Sequence, residues 1–502
     1  MAMSESAVRA GVLLSAAACL AGFGCRPADA PTAAADTAVQ ANLVVLSPHG
    51  PEIRDAFCDR FSSWYEQKYR EVLTIRWIQK GTLECQRELY ARKQDDAGAD
   101  IFFGGGVAVH QDVAARGYAE PIELDGELLA GLPGELHGQP LRAADGTWFG
   151  SALSGFGILY SKTGCAARDV PPPRGWSDLA APAYRGWVAV ADPAVSGSTL
   201  QCLVLILLER GWDEGWPVVL GIMANCNGVL SSSSQLAPHI RSGLAIAGLM
   251  PDFMARMSIA LDPETLAYAG PEPDRAVLTP DPIMVLKGAA NRVVARRFLE
   301  FVLSAEGQRL WALPHEAGGP DGMALYRYPV RPDVYDEFAD RLVVPGNPFK
   351  SSSAPILDTK AEAAWTTLLP TLLTAACGRN HLALQRAWRI AAAEGEGSGR
   401  LAALRKPPMD AAAAMAAAEQ MQRDPESASR LAEEWTGHFR ALYEQVAGPM
   451  PAVQNGPAAD GGGRRSDDGI QETSRLISPA RARSFSVRPP AEWVVSVNST
   501  RG

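Results

Sequence analysis

Cysteine pairs, histidine clusters and phosphate-binding loops are all missing from this sequence, and each absence removes a class of function. The eight cysteines include no C-x-x-C, so zinc ribbons and thioredoxin-like redox centres have no support. Seven scattered histidines form no H-E-x-x-H, and a metal site built from them would have to be assembled from distant segments. There is no G-x-x-x-x-G-K-[ST], no G-x-S-x-G and no G-x-G-x-x-G, since Gly155-Phe156-Gly157 lacks the third glycine. Nothing calls for a cofactor. A net charge of -9 argues against a general nucleic-acid binder, whose phosphate contacts need a basic face. Beyond the N-terminus no uncharged apolar run reaches the roughly 20 residues of a membrane-spanning helix.

What is there has the composition of an ordinary folded protein, 47% hydrophobic and 21% charged over 502 residues, enough for about three domain-sized units. At the N-terminus Arg9 precedes a small, apolar run from Ala10 to Gly24, the length of a signal-peptide core. It ends in Gly22-Phe23-Gly24-Cys25, which resembles a bacterial lipoprotein cleavage site with Cys25 as the lipidated residue, although Gly22 stands where an aliphatic residue is usual. Simple secretion and a buried N-terminal helix are the alternatives. Residues 26–42, rich in Ala, Pro, Asp and Thr, read as a tether. After export, some of the six remaining cysteines would be free to pair.

From residue 43 strands and helices alternate. Leu43 to Leu46, Val72 to Trp77 and Asp100 to Phe103 read as strands, and Glu52 to Tyr69 and Thr82 to Lys93 as helices between them, the signature of a parallel sheet covered on its faces. A second series runs from Trp187 to Val190, through an apolar helix from Leu200 to Arg210, to Leu244 to Met250. A strand from Asp281 to Leu286 and an amphipathic helix from Asn291 to Trp311 follow. Two α/β lobes result, lobe 1 from residues 43–150 and 276–350 and lobe 2 from residues 151–275. Residues 351–447 read as an all-helical appendage with Trp365, Trp388 and Trp435 as packing anchors, and residues 448–502 as a disordered tail in which Trp493-Val494-Val495 is a candidate docking segment.

Small or hydroxyl-bearing residues recur where strands give way to helices. Ser47-Pro48-His49-Gly50, Gly81-Thr82, Gly104-Gly105-Gly106 and Ser196-Gly197-Ser198-Thr199 each sit at such a junction. Helix N-termini expose unpaired N–H groups and a positive dipole end, so these junctions can hold a carboxylate, phosphate or phosphonate without a charged side chain. Each can equally be an ordinary cap or turn. Trp148, Phe149 and Phe156 are candidates to stack on a ligand or to fill the core.

Taken with Asp100-Ile101-Phe102-Phe103, Gly146-Thr147-Trp148-Phe149-Gly150, Asp192-Pro193, Thr279-Pro280-Asp281-Pro282 and Ser304-Ala305-Glu306-Gly307-Gln308, in that order, these junctions resemble the extracellular solute-binding proteins of bacterial ABC importers. The resemblance is to the type II periplasmic group that includes ferric, phosphonate, sugar-phosphate and thiamine binders. It implies an α/β fold of two lobes joined by crossing strands near Trp148 to Tyr160 and Arg275 to Leu278, carrying the helical appendage. It also implies a small anionic ligand, a permease with its ATPase as partner, and membrane attachment only through the N-terminal lipid. The site it implies takes Ser47, His49, Thr82, Gly105, Gly106, Ser154, Ser196, Gly197, Ser198, Thr199 and Asp252. Where the ferric branch carries two metal-binding tyrosines this chain has Pro251-Asp252-Phe253-Met254, so phenolate ligation of iron is lost, and Asp252 is left as a ligand acceptor or a helix cap. Two rivals remain: a ligand-sensing subunit that docks on a membrane receptor through residues 351–447, and an exported hydrolase using Ser154 or Ser196, for which no nearby histidine supplies a base.

Overall fold

The computed structural model describes residues 40–270, 277–351, 357–448 and 493–496; the signal-peptide segment, Cys25 and the tether before Gln40 lie outside them. Strand β1 (Gln40–Ser47) opens the fold in QANLVVLS, which alternates and then turns continuously buried, as a strand covered on both faces does. It pairs in parallel with β2 (Val72–Gln79) and with β3 (Ile101–Phe103). Helix Pro51–Tyr69 connects the first two, with proline at its first turn and Arg70 in the left-handed conformation at its end.

After a two-stranded hairpin of β4 (Glu135–Leu136) and β5 (Gln139–Pro140), the chain passes along β6 (Phe149–Ser154) and directly into β7 (Phe156–Ser161). These two strands belong to different sheets, so Gly155 is a crossing point between lobes. Lobe 2 then builds β8 (Val188–Ala191), β9 (Cys226–Leu230), β10 (Ala247–Pro251) and β11 (Leu266–Ala269) into the sheet β11-β7-β10-β8-β9. The chain returns to lobe 1 at β12 (Thr279–Val285), antiparallel to both β3 and β6, and adds β13 (Tyr328–Pro329) at the edge beyond β6.

The apolar helix expected to end at Arg210 does break there: Gly211, with φ 77° and ψ 169°, is not helical, and a second helical stretch carrying Pro217 completes Gly197–Asn225. It is apolar nearly all round, which requires cover on its outer side. The appendage supplies that cover. Helices Thr359–Leu373, His381–Ala393, Gly399–Arg405, Ala411–Arg423 and Pro425–Ala447 share one buried cluster with lobe 2. Trp365 stacks on Trp212 at 4.7 Å, Phe439 on Trp216 at 6.0 Å, and Trp212 Nε1 donates to the Met409 carbonyl at 2.8 Å. Trp365, one of the tryptophans read as the appendage's own anchors, thus fastens it to lobe 2 as well.

The amphipathic run from Asn291 to Trp311 is two helices, Arg292–Leu303 and Ala305–Ala312, because the Ser304 hydroxyl caps the second by accepting from Gly307 N. Within the tail read as disordered, Trp493–Ser496 forms strand β14, antiparallel to β2 at the sheet edge, where extended backbone finds unpaired partners. The first sheet is therefore β13-β6-β12-β3-β1-β2-β14. The remainder of residues 449–502 lies outside the described residues.

Candidate functional site

Five helices begin at one cavity of about 810 Å³ between the lobes. The first turns of helices Pro51–Tyr69, Thr82–Tyr90 and Val107–Ala115 reach it from lobe 1, and those of Gly197–Asn225 and Asp252–Leu261 from lobe 2. Converging N-termini present unpaired N–H groups and aligned dipoles to one volume, which favours negative charge there. The four junctions singled out in the sequence supply four of these helix starts.

Gly104, Gly105 and Gly106 have φ values of 93°, 106° and 86°, backbone that L side chains rarely adopt. A side chain at Gly104 would also stand 2.6 Å from His49 Nε2. This bend carries the chain from the end of β3 to the helix start at Val107, and Gly105 N donates to Asp281 Oδ1 at 2.7 Å. On the opposite lobe the Ser196 hydroxyl caps helix Gly197–Asn225 by accepting from Thr199 N at 3.3 Å. The lobes meet at this rim: Leu83 N donates to the Val195 carbonyl at 3.4 Å, and a Cβ on Gly197 would lie 2.7 Å from Thr82 Oγ1.

His49, Thr82, Gly105, Gly106, Ser154, Ser196, Gly197 and Ser198 line the cavity. Ser47, Thr199 and Asp252 do not. Ser47 is fully buried, its hydroxyl donating to the Phe103 carbonyl at 2.7 Å and accepting from His49 N. Thr199 is fully buried one turn inside its helix, with Ser196 Oγ 3.5 Å from Thr199 Oγ1. Asp252 is used structurally: Oδ1 accepts from Gly155 N at 3.0 Å and from Phe253 N at 2.8 Å, pinning the crossing of β6 into β7 to a helix start. Burial pushes its carboxyl up to about 6. Phe156 lines the cavity, whereas Trp148 and Phe149 are core residues.

The cavity floor holds a charged network that reading the sequence missed. Arg327 is 2% exposed; Nη1 donates to Asp281 Oδ2 at 2.6 Å and Nη2 donates to Ser154 Oγ at 2.7 Å. His49 Nε2 lies 2.7 Å from the same Asp281 oxygen. Burial raises the Asp281 carboxyl, but Arg327 and His49 outweigh it and hold the group well below the usual carboxylate range. Burial likewise lowers His49, only partly offset by Asp281. A neutral imidazole beside a carboxylate carries its proton on Nε2, leaving Nδ1 as an acceptor, and Nδ1 and Arg327 Nε are both buried without a partner among the described residues.

The Arg327 guanidinium also lies over Phe253, 4.4 Å from the ring centre. Phe253 and Met254 line the cavity, and among the described residues no tyrosine does. Among the described residues no group of three or more His, Cys, Asp or Glu comes together as a metal site. Lobe 2 contributes the serine run Ser231 to Ser234, and Lys80, Arg241 and Gln201 line the wall together with the carboxylates Glu52, Glu84 and Glu362. A run of four serines after a strand was a visible signal for the first of these. The pairing of Asp281 with Arg327, 46 residues apart, left none.

Comparison with known proteins agrees with this geometry. Residues 96–318 match the family model described as bacterial extracellular solute-binding protein. Over 161 residues the chain is 34% identical to the phosphoglycerate transport regulatory protein PgtC of Salmonella typhimurium, a stretch that covers 32% of this chain and 40% of that protein. The chain thus spans about two fifths of the length of the curated relatives it matches. Among solved structures, the periplasmic binding protein AfuA from Actinobacillus pleuropneumoniae, with fructose-6-phosphate bound, superposes with a TM-score of 0.55 at 16% identity, covering 67% of this chain and 98% of AfuA. The periplasmic binding protein P5PA gives 0.53 at 19% identity over 64% of this chain and 94% of P5PA. Iron-bound HitA from Pseudomonas aeruginosa gives 0.50 at 17% identity over 66% and 98%. At these identities the structural likeness is one of fold.

Proposed function

We propose that this chain, whose residues 96–318 match bacterial extracellular solute-binding proteins and whose fold is that of two-lobed periplasmic binding proteins, captures a small phosphorylated anion outside the cytoplasmic membrane and delivers it to an importer. The observation that carries this reading is the convergence of five helix N-termini on one interlobe cavity. A phosphate ester seated there exchanges water for backbone N–H and serine donors already oriented toward it. Arg327 has two of its nitrogens committed to Asp281 and Ser154 and its charge balanced by Asp281, so its role is to set the floor, while the glycine and serine junctions make the direct contacts.

Binding across both lobes stabilises the closed arrangement, because only there do Thr82 and the start of helix Gly197–Asn225 face one ligand. The permease then reads closure. The lipid attachment at Cys25 belongs to the same reading, since it would hold the binding domain near its permease. The chain forms no covalent bond with the ligand. Although Ser154 and Ser196 are both buried, the Ser154 oxygen accepts from Arg327 and that of Ser196 caps a helix, so neither is poised against a base.

The regulatory name of the Salmonella relative favours a second reading, in which the closed domain signals to a membrane receptor instead of a permease. Isothermal titration with glycerol 3-phosphate, 3-phosphoglycerate, inorganic phosphate and neutral polyols tests the shared part. Saturable binding of a phosphate ester without binding of the neutral polyol is expected; the reverse preference overturns it. Deleting the gene then separates importer from sensor. Loss of phosphate-ester uptake with an intact transcriptional response supports delivery, and the opposite pattern supports sensing.

A further inference from the structure

Helix Thr359–Leu373 does more than cover lobe 2. Its first turns run along the rim of the interlobe cavity, and Glu362, one turn in, is the appendage's contribution to the cavity wall. Gln201 Nε2 donates to Glu362 Oε1 at 2.8 Å, while Oε2 makes no hydrogen bond among the described residues. Gln201 lies four residues after Gly197 on the same helix, hence on the same face and about one turn, roughly 5.4 Å, beyond the N-terminus that faces the anion. Thr359, Ala363 and Glu362 itself lie across a small void from Val107, Ala108 and Gln111 of lobe 1, so the same helix reaches both lobes at this rim and Glu362 borders both this void and the main cavity.

We infer that Glu362 is a specificity-determining residue supplied by the appendage: it accepts hydrogen bonds from hydroxyl groups on the end of the ligand remote from its phosphate. This rests on the reading of the cavity as a phosphate-ester site and adds which esters it prefers. Through Gln201, Glu362 stands about one helical turn from the donor-rich start of helix Gly197–Asn225, on a wall that also carries the Glu52, Glu84 and Asp281 carboxylates. Helix N-termini favour negative charge, whereas a carboxylate repels it and has only acceptor atoms to offer, so it suits a hydroxylated carbon chain and disfavours a second phosphate. Gln201 holds one Glu362 oxygen in place, which fixes the direction of the other. Burial raises the carboxyl's pKa, and Gln201 works against that by stabilising the ionised, acceptor form.

The test compares glycerol 3-phosphate with n-propyl phosphate, the same skeleton without hydroxyls, on the full chain. Wild type should bind glycerol 3-phosphate at least about tenfold more tightly, the worth of a hydrogen bond to a charged acceptor. Glu362→Ala should remove that preference, with affinity for n-propyl phosphate unchanged or slightly higher because a repelling carboxylate is gone; Glu362→Gln, which keeps the side-chain volume but whose one acceptor oxygen is taken by Gln201 so that an NH2 faces the ligand, should lower the preference. Melting temperatures of both ligand-free variants establish that each is folded, and the conservative variant carries the test if the alanine variant is not. Binding of both esters with equal affinity by wild type, or an unchanged preference in folded Glu362→Ala or Glu362→Gln, overturns the inference while leaving the phosphate-ester reading standing. Failure of wild type to bind either ester overturns both.

Discussion

Arg327 donates to Asp281 across 2.6 Å on the floor of the interlobe cavity, and that pair organises the glycine bend opposite it, because the second Asp281 oxygen accepts from Gly105 N at 2.7 Å. The pair joins the segment before β13 to the crossing strand β12, and through Ser154 it also holds the end of β6. Positioning of the bend and stability of the floor therefore depend on the same carboxylate.

Removing one partner leaves the other as a buried uncompensated charge. Asp281→Ala and Arg327→Leu should each cost about 3–5 kcal/mol in denaturant unfolding. Asp281→Ala should additionally weaken phosphate-ester binding, since it releases Gly105. Either variant unfolding within about 0.5 kcal/mol of wild type would show that the pair contributes little to the fold.

The acid limb of stability should follow the buried histidines. His110 lies flat on Phe102, ring centres 4.3 Å apart, and burial lowers its pKa to about 4. Its neutral form is the native one, so the stability it contributes is complete above the unfolded value near 6.5 and declines as pH falls toward 4, by up to about 3 kcal/mol. His49 is lowered too and acts in the same direction. Asp252, raised to about 6, acts in the opposite direction: it takes up a proton in the native state first, so stability gains as pH falls from about 6 toward 3.8. Denaturant midpoints should fall between pH 6.5 and 4.5 in wild type, less steeply in His110→Gln and more steeply in Asp252→Asn. Parallel curves for wild type and His110→Gln would remove His110 from the account.

The legibility of this site in the sequence divides along one line. Junctions whose parts are consecutive in the chain, such as Gly104-Gly105-Gly106 and Ser196-Gly197-Ser198, could be recognised because a strand end, a small residue and a helix start leave a local pattern. Contacts that tertiary folding creates left no such trace. Asp281 was visible only as part of Thr279-Pro280-Asp281-Pro282, and Arg327, between two tyrosines, had no distinguishing neighbours. Thr199 and Asp252 stand apart from the other candidates: their chemistry suits a ligand, but Thr199 is buried inside its helix and Asp252 takes the helix-start role that the sequence left open beside a ligand contact. The appendage and lobe 2 share one buried cluster, and the segment from Leu200 onward carried the clue, since a helix apolar nearly all round needs a second layer over it.

Closure can be tested at the lobe contact itself. Gly197→Ala places a methyl group 2.7 Å from Thr82 Oγ1 and 2.9 Å from Thr82 Cβ, closer than packed atoms approach. The lobes would have to stand slightly apart, and overpacking of this kind costs about 1–3 kcal/mol. All of that falls on the closed state, so phosphate-ester affinity should drop roughly tenfold or more. The ligand-free protein, able to open, should unfold at or slightly above the wild-type denaturant midpoint, because alanine is the better helix former. Unchanged affinity would mean that Thr82 and Gly197 do not meet in the liganded state.

Ser198 and Thr199 are neighbours in sequence with the same type of side chain, and the structure assigns them opposite consequences. Ser198 lines the cavity in the first turn of helix Gly197–Asn225, whereas Thr199 is fully buried beneath it. A hydroxyl or backbone donor on a phosphate ester is worth about 1.5–3 kcal/mol, and each 1.4 kcal/mol is about tenfold in affinity. Ser198→Ala should thus weaken glycerol 3-phosphate binding by about tenfold to a hundredfold while the ligand-free protein keeps its stability, since a half-exposed hydroxyl satisfies no buried partner. Thr199→Val, which removes the hydroxyl at nearly constant volume, should cost about 1–3 kcal/mol of unfolding free energy, because the Thr199 hydroxyl is buried against Ser196 Oγ. Its effect on affinity should stay within about twofold. Titration calorimetry beside urea unfolding of both variants decides the matter: loss of affinity in Thr199→Val with full affinity in Ser198→Ala would exchange their roles and turn the helix start away from the ligand.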